Sequence, residues 1–509
     1  MTSVLHNPST MIDRLIAFFN ARDVETHVVG GMVRDRLLGR NSEVGDIDLA
    51  IKGDAVALGR ELAEELGGSL APLSVPRGMM RVALPPSGQG DEGDGSNGTI
   101  IDLSGYSGDI ESDLARRDFT INAMAIPLRE WQGDEFSGAV LDPFGGRRDL
   151  IIKAIRALNP DVFEEDPGRL LRAVRLSGEL GMRIEPDTVR LLMSNAELVR
   201  RVSPDRVRDE FLKILAPQGA RGRIEALDQL GMLKHIIPEL MAAKGVDQPR
   251  MHYWDVWGHT LHTVQAAEGV TGGHQNSPVY FCVPWTPDSE AYFAEVVSDG
   301  HTRRTILKLA ALFHDIAKPQ TKTLEPDGRT RFFGHSEQGA EVAERRLTEL
   351  RLSNRGVDMV SGMVLHHLRP TGMSNDGEWP TDRAIYRYFR DTGGVAVDTL
   401  FLCLADYLGA KGPELSHPEW LEHAKMISHV LFTGTREPVA ANTARLVSGH
   451  DLMSRFQLQP GSHIGFLLET IEEARAAGEI ETQEQALELA AATIESQGYS
   501  RDGSRASSV

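Results

Sequence analysis

Gly30 and Gly31, Arg34, and the aspartates at 46 and 48 fall within one short unit of the chain, residues 28–51. His27 to Val29 reads as a short buried strand, Gly30-Gly31 as a tight turn and Met32 to Leu38 as a helix. The first N–H groups of a helix lack intrahelical partners and the helix dipole favours an anion there, so this turn suits a phosphate group. Arg34 is placed as a fork onto the phosphate oxygens. Asp46 to Ile51 reads as a second strand, and side chains at i and i+2 of a strand share a face. Asp46 and Asp48 then repel each other unless a cation lies between them. Asp102, in the strand-like run 98–103, is a third acid for the same sheet. Three carboxylates suit a pair of Mg²⁺ ions roughly 3.5–4 Å apart, the usual means of activating a hydroxyl and offsetting the charge of a departing pyrophosphate. The expected ligand is a nucleoside triphosphate held by backbone amides and metal.

Two further constellations lie downstream. Glu165-Asp166-Pro167-Gly168-Arg169 opens a helical run. Asp before Pro is a common helix cap, and structure alone accounts for it. Chemistry offers another reading: a carboxylate beside a guanidinium matches the amino donor and ring acceptor of cytosine and of adenine. Uracil and guanine present the opposite order, leaving buried groups unpaired at roughly 1–3 kcal/mol each. Asp166 and Arg169 thus pair a selector of C and A with no nucleic-acid template. Farther on come His259, His314-Asp315, His335, His366-His367 and Asp406. Imidazoles combined with carboxylates are ligands for divalent transition metals.

The chain resembles the DNA polymerase beta-like nucleotidyltransferases, in particular the branch of tRNA CCA-adding enzymes and bacterial poly(A) polymerases. The matching segments are Gly30 to Asp35, Gly45 to Asp48, Arg116 to Ala123, Asp142 to Gly146 and Glu165 to Ala173, followed near the end by Gly449 to Met453, Pro460-Gly461, Gly465 and Gln485 to Leu487. The resemblance implies nucleotide-binding roles for Arg117, Asp118, Asn122 and Arg172, beside Gly30, Gly31, Arg34, Asp166 and Arg169. It implies tRNA, CTP and ATP as partners, with poly(A) synthesis as the neighbouring activity. The histidine series resembles an HD domain, with His259, His314, Asp315, His335, His367 and Asp406 as ligands. That implies metal-dependent phosphohydrolase capacity with an ion such as Ni²⁺, Mn²⁺ or Co²⁺, as an accompanying or as the main activity. Of the two adjacent histidines, the His-Leu-Arg-Pro context favours His367.

These groups need a scaffold, and 509 residues, 41% of them hydrophobic, leave room for several cores. The expected fold is α+β: a nucleotidyltransferase head with a mixed sheet at 1–150, a helical RNA-binding neck at 151–245, an HD domain at 246–410, and a helical body and tail at 411–509. The Gly-rich acidic stretch 85–98 reads as a surface loop, residues 270–300 as an insert rich in Gly, Pro and aromatics, and Ile464 to Ser496 as two helices broken at Gly478. Two cysteines make no disulfide framework, and no signal peptide or membrane span is visible, so a reducing cytoplasm is expected. The formal charge of −19 opposes RNA binding overall, yet residues 147–223 carry 16 Lys/Arg against 12 Asp/Glu. A limited basic patch and salt-sensitive RNA binding follow.

Overall fold

The computed structural model describes residues 8–40, 46–74, 78–85, 98–131, 140–249, 251–272, 277–374, 378–436 and 445–497. Gly45, most of the 85–98 stretch, part of the 270–300 insert and the last dozen residues lie outside them. The backbone packs into two compact units, one of residues 1–210 and 226–236, the other of 211–225 and 237–509. The border falls within the segment expected to be the neck.

The first unit is built on a mixed six-stranded sheet. Its strands are β1 (Thr26–Val29), β2 (Asp46–Lys52), β3 (Ser69–Ser74), β4 (Met79–Ala83), β5 (Ile100–Tyr106) and β6 (Ala125–Pro127), in the order β3-β4-β5-β2-β1-β6. β2 and β5 run parallel, with Asp48 opposite Asp102, and the other neighbours are antiparallel. Alternation along β2 gives each face its task. Ile47 and Leu49 are fully buried, on the side opposite the acids. On β5, Leu103 meets the Ala55–Leu66 helix, where a Cβ on Gly59 would lie 3.3 Å from the Leu103 side chain. Ala50, on the acid side, packs with Val29, Leu114, Ala123 and Ala125. The aspartates therefore stand where that face runs out of the apolar core.

Helices dominate the remainder. The Arg169–Leu180 helix buries Leu170, Leu171, Ala173, Val174 and Leu176. In the second unit the Val256–Thr271 helix, capped by Asp255 accepting from the Gly258 N–H, packs along Ala396–Lys411. The helices approach closely at Gly409, where a Cβ would meet the Thr263 backbone. Asp382–Glu414 is the one stretch among the described residues long and apolar enough to cross a membrane; 67% of its most apolar window is buried inside the protein, as in a core helix. The insert contributes a Pro287–Ala294 helix and the short strand Val296–Ser298. The tail forms helices Ser462–Ala476 and Gln483–Gln497, separated at Gly478 with φ +71, over their own apolar cluster.

Candidate active site and metal centre

At the end of β1 the chain turns at Gly30, with φ +73, into the Gly31–Leu37 helix, and no side chain caps that helix. A Cβ on Gly30 would lie 3.0 Å from both Asp48 Oδ2 and Arg117 Nη1. The residue is glycine for two reasons, its backbone conformation and the approach of an acid and a guanidinium to the turn. The turn and Asp48 line a cavity of about 190 Å³ together with Arg117, Asp118, Asn122, Asp166, Arg169 and Arg172. Asp46, two residues before Asp48 on the same face, is exposed. Burial raises the Asp48 carboxyl above its ordinary value; Arg117 and Arg172 oppose that shift, and the fields of Asp102 and Asp46 add to it. A half-buried carboxylate with two others nearby is stabilised by a cation, so the donor set fits a divalent ion.

Several positive and negative groups here are already matched. Arg117 donates Nε and Nη2 to Asp113 Oδ2 at 3.2 and 2.9 Å. Asp118 accepts from the Phe119 N–H and from Asn122 Nδ2, and lies 2.6 Å from Arg172 Nε. Burial alone would raise Asp118, but Arg172 and these hydrogen bonds outweigh it and hold the carboxyl below the usual range.

Three of the expected site residues have protein partners at this level of detail. Arg34 is buried, donating Nε and Nη2 to Asp35 and Nη1 to Asn122 Oδ1, each at 2.8 Å. It braces Asn122, and its donors are satisfied within the protein as a buried guanidinium requires. Asp102 forms a bidentate pair with Arg81, both bonds 2.8 Å, since Arg81 stands directly opposite it on β4. Asp166 pairs with Arg206 through both Nη atoms, at 2.6 and 2.9 Å, and lies 3.9 Å from Arg169 Nε. Arg169 instead donates to the Arg116 and Val162 carbonyls. The capping alternative is also realised in part, as Asp166 Oδ1 accepts the Gly168 N–H. Arg81 and Arg206 had no local signal, each being recognisable only through its tertiary partner, whereas Asp113 stands at the i,i+4 spacing from Arg117.

The second unit brings the histidine series to one point. His259, His314, Asp315 and His367 are at most 1% exposed, and His335 is 8% exposed. Asp315 Oδ2 lies 3.1 Å from the Nε2 atoms of both His259 and His314, while Oδ1 faces His335 Nε2 at 3.5 Å and His367 Nε2 at 3.8 Å. Asp406 Oδ1 is 3.0 Å from His259 Nε2. Two triads with donor atoms within 4.8 Å of one another share Asp315, namely His259-His314-Asp315 and Asp315-His335-His367. His314, His335 and His367 each turn Nδ1 to a backbone carbonyl at 2.7–2.8 Å, which orients Nε2 inward. The inward Nε2 atoms of His335 and His367 are buried without a hydrogen-bond partner. Such orphaned lone pairs fit metal coordination. Burial disfavours the His314 cation, but Asp315 and Asp406 outweigh it and push the imidazole up to about 10; burial drops His367 to about 4. Sequence reasoning missed Lys318, whose Nζ is 2.6 Å from Asp315 Oδ2, and His252, set edge-on to His259 with ring centres 5.2 Å apart.

Comparison with known proteins gives the family and the fold. Residues 26–83 and 91–156 match the poly(A) polymerase head domain, 181–244 a probable RNA- and SrmB-binding site of polymerase A, and 256–411 the HD domain. An A-adding tRNA nucleotidyltransferase of Deinococcus radiodurans is 33% identical over 467 residues, covering 90% of this chain and 93% of that protein. A CC-adding tRNA nucleotidyltransferase of Thermus thermophilus is 30% identical, covering 90% and 91%. In fold the chain is similar to a CCA-adding enzyme in complex with ATP, at a TM-score of 0.61, 22% identity and coverage of 97% and 96%. It is likewise similar to the Thermotoga maritima CCA-adding enzyme complexed with tRNA, at a TM-score of 0.58, 22% identity and 96% coverage of both chains. The chain is a nucleotidyltransferase belonging to the tRNA nucleotidyltransferase and poly(A) polymerase family, and it carries an HD domain.

Proposed function

We propose that this chain builds or repairs the 3′ end of tRNA, adding C, A or both from CTP and ATP without a template. The observation that carries this reading is the single cleft joining the Gly30 turn, Asp48, Arg117, Asp118, Arg172 and Asp166. The glycine turn lets backbone approach the triphosphate closely, and Arg117 and Arg172 supply fixed positive charge at its edge. Asp118 and Asn122, tied to Arg172 and Arg34, keep that wall in place. Mg²⁺ held by Asp46 and Asp48 would lower the pKa of the RNA 3′-hydroxyl and offset the charge of the leaving group. The hydroxyl oxygen bonds to the α-phosphorus as the bond to pyrophosphate breaks. Relatives that add A and relatives that add CC are both similar to this chain, so products decide between them. Sequencing products formed on tRNAs lacking one, two or all three terminal nucleotides makes that decision; incorporation into none of them sinks the reading.

The shared Asp315 and the orphaned imidazole nitrogens favour a second activity, phosphoester hydrolysis in the HD domain. An ion such as Ni²⁺, Mn²⁺ or Co²⁺ would be held by His259, His314, Asp315, His335, His367 and Asp406 and would supply Lewis acidity there. Hydrolysis of phosphodiester and nucleotide substrates with each ion tests this. We retain the division into head (1–150), neck (151–245), HD domain (246–410) and tail (411–509) as the functional one, acting in a reducing cytoplasm that suits the two free cysteines, Cys282 and Cys403.

A further inference from the structure

We propose that Arg81 binds a backbone phosphate at the 3′ end of the incoming RNA and so sets the attacking hydroxyl against the triphosphate. This rests on the proposed addition of nucleotides to tRNA and names a residue for the RNA side of that reaction. Three adjacent strands carry one row of charged side chains. Asp48 on β2 stands opposite Asp102 on β5, and Asp102 stands opposite Arg81 on β4. Residues paired across neighbouring strands share a face, as do residues i and i+2 along one strand. The next row, Ser104 with Met79, lines the cavity. Arg81 and Asp102 therefore lie on the cavity's face, at its rim toward Asp46.

The Arg81 guanidinium is committed along one edge only. Nε and Nη2 donate to the two oxygens of Asp102, both at 2.8 Å, and the side chain is 38% exposed. Nη1 has no hydrogen-bond partner among the described residues. Both hydrogens of Nη1 and the second hydrogen of Nη2 are left, and together they form an end-on fork that fits two oxygens of a phosphate. Asp102 fixes the plane of the guanidinium, so the fork is aimed before a ligand arrives. The hydrogen bonds to Asp102 raise Arg81 above the ordinary arginine value, burial opposes the rise, and the fields of Asp102, Asp46 and Asp48 add to it.

Which phosphate it takes follows from the strand order. The Gly30 turn, where the triphosphate is proposed to lie, leaves the end of β1, and the order β4-β5-β2-β1 puts Arg81 on the far side of Asp48 from that turn. Neighbouring strands are about 4.8 Å apart, so β4 lies roughly 14 Å from β1. In an in-line displacement the attacking oxygen arrives opposite the leaving pyrophosphate. With the triphosphate on the β1 side of Asp48, the RNA end enters on the β4 side, where Arg81 offers its fork.

The test changes charge on the RNA as well as on the protein. Wild type, Arg81→Ala and Arg81→Lys are compared on tRNA lacking its terminal nucleotides, with ordinary phosphodiesters or with a neutral methylphosphonate at the last or the next-to-last linkage. Arg81→Ala is expected to raise KM for tRNA by about ten-fold, the scale of a charge-assisted hydrogen bond, while KM for the triphosphate stays within about two-fold. At one of the two linkages the methylphosphonate is expected to raise the wild-type KM by a similar factor and that of Arg81→Ala by no more than about two-fold, since the partner is already gone. Arg81→Lys keeps the charge, loses the fork and is expected to fall between. These KM ratios do not depend on how much of a variant is folded. Equal sensitivity of wild type and Arg81→Ala to the methylphosphonate at both linkages overturns the proposal. So does a KM rise confined to the triphosphate, or a loss of kcat with KM for tRNA unchanged, which would leave Arg81 as a support for Asp102 alone. A wild-type protein that extends no tRNA defeats the underlying reading instead.

Discussion

The cleft of the first unit and the histidine cluster of the second both gather acids and bases, but they treat unpaired polar atoms in opposite ways. In the cleft, Arg117 is matched by Asp113, Arg172 by Asp118 and Arg206 by Asp166, and on the adjoining strands Arg81 is matched by Asp102. In the cluster, buried nitrogens of His335 and His367 face Asp315 with no hydrogen-bond partner. A cleft of prepaired charges suits a large polar ligand that adds contacts at the rims of existing pairs and leaves again. A dry knot of orphaned lone pairs suits a small cation that stays.

If the two sites are independent in this way, Asp48→Asn should reduce nucleotidyl transfer by more than about 10²-fold, on the scale of losing a main electrostatic contact to the transition state. The same protein should keep the metal-dependent phosphoester hydrolysis proposed for the HD domain; loss of both activities would break the contrast. His314→Ala is the converse, expected to remove bound transition metal, measured by elemental analysis, and hydrolysis with it, while transfer stays within about three-fold of wild type, a change of less than 1 kcal/mol.

Gly30→Ala sharpens the account of the turn. The positive-φ conformation of Gly30 alone costs roughly 1–3 kcal/mol for a residue with a Cβ, and the added methyl would press on Asp48 and Arg117. A lower Tm together with a transfer defect is expected, and a fully active, fully stable variant would show that the close approach is unimportant. The smallest effect concerns Asp118. Its folded-state carboxyl is held below the unfolded value, so the stability it contributes is present above about pH 4 and is lost as pH falls through the folded pKa. Thermal unfolding of Asp118→Asn against wild type should show a gap at neutral pH that closes in acid.

How far the sequence carried depended on whether a residue's partner is local. The i, i+2 spacing of Asp46 and Asp48, the glycine turn and the break at Gly478 follow from chain geometry, and the structure contains each. The histidine series was legible because the identities of its side chains restrict what they can do, and four histidines converge on Asp315 or its neighbour Asp406. The pairings of Arg34, Asp102 and Asp166 were not legible. Each involves a group brought in by the fold: Asn122 accepts the remaining Arg34 donor from 88 residues away, and Arg81 and Arg206 pair with Asp102 and Asp166 from 21 and 40 residues away. Spacing indicates which groups can meet the ligand, whereas tertiary packing decides which of them are already committed.

The most direct measurement is incorporation from each of the four triphosphates, one at a time, into tRNA lacking its terminal nucleotides, with Mg²⁺ and no other nucleic acid present. The account predicts incorporation from CTP, ATP or both with release of pyrophosphate, and none above background from UTP or GTP. Equal use of all four, or incorporation that needs a template strand, would contradict it.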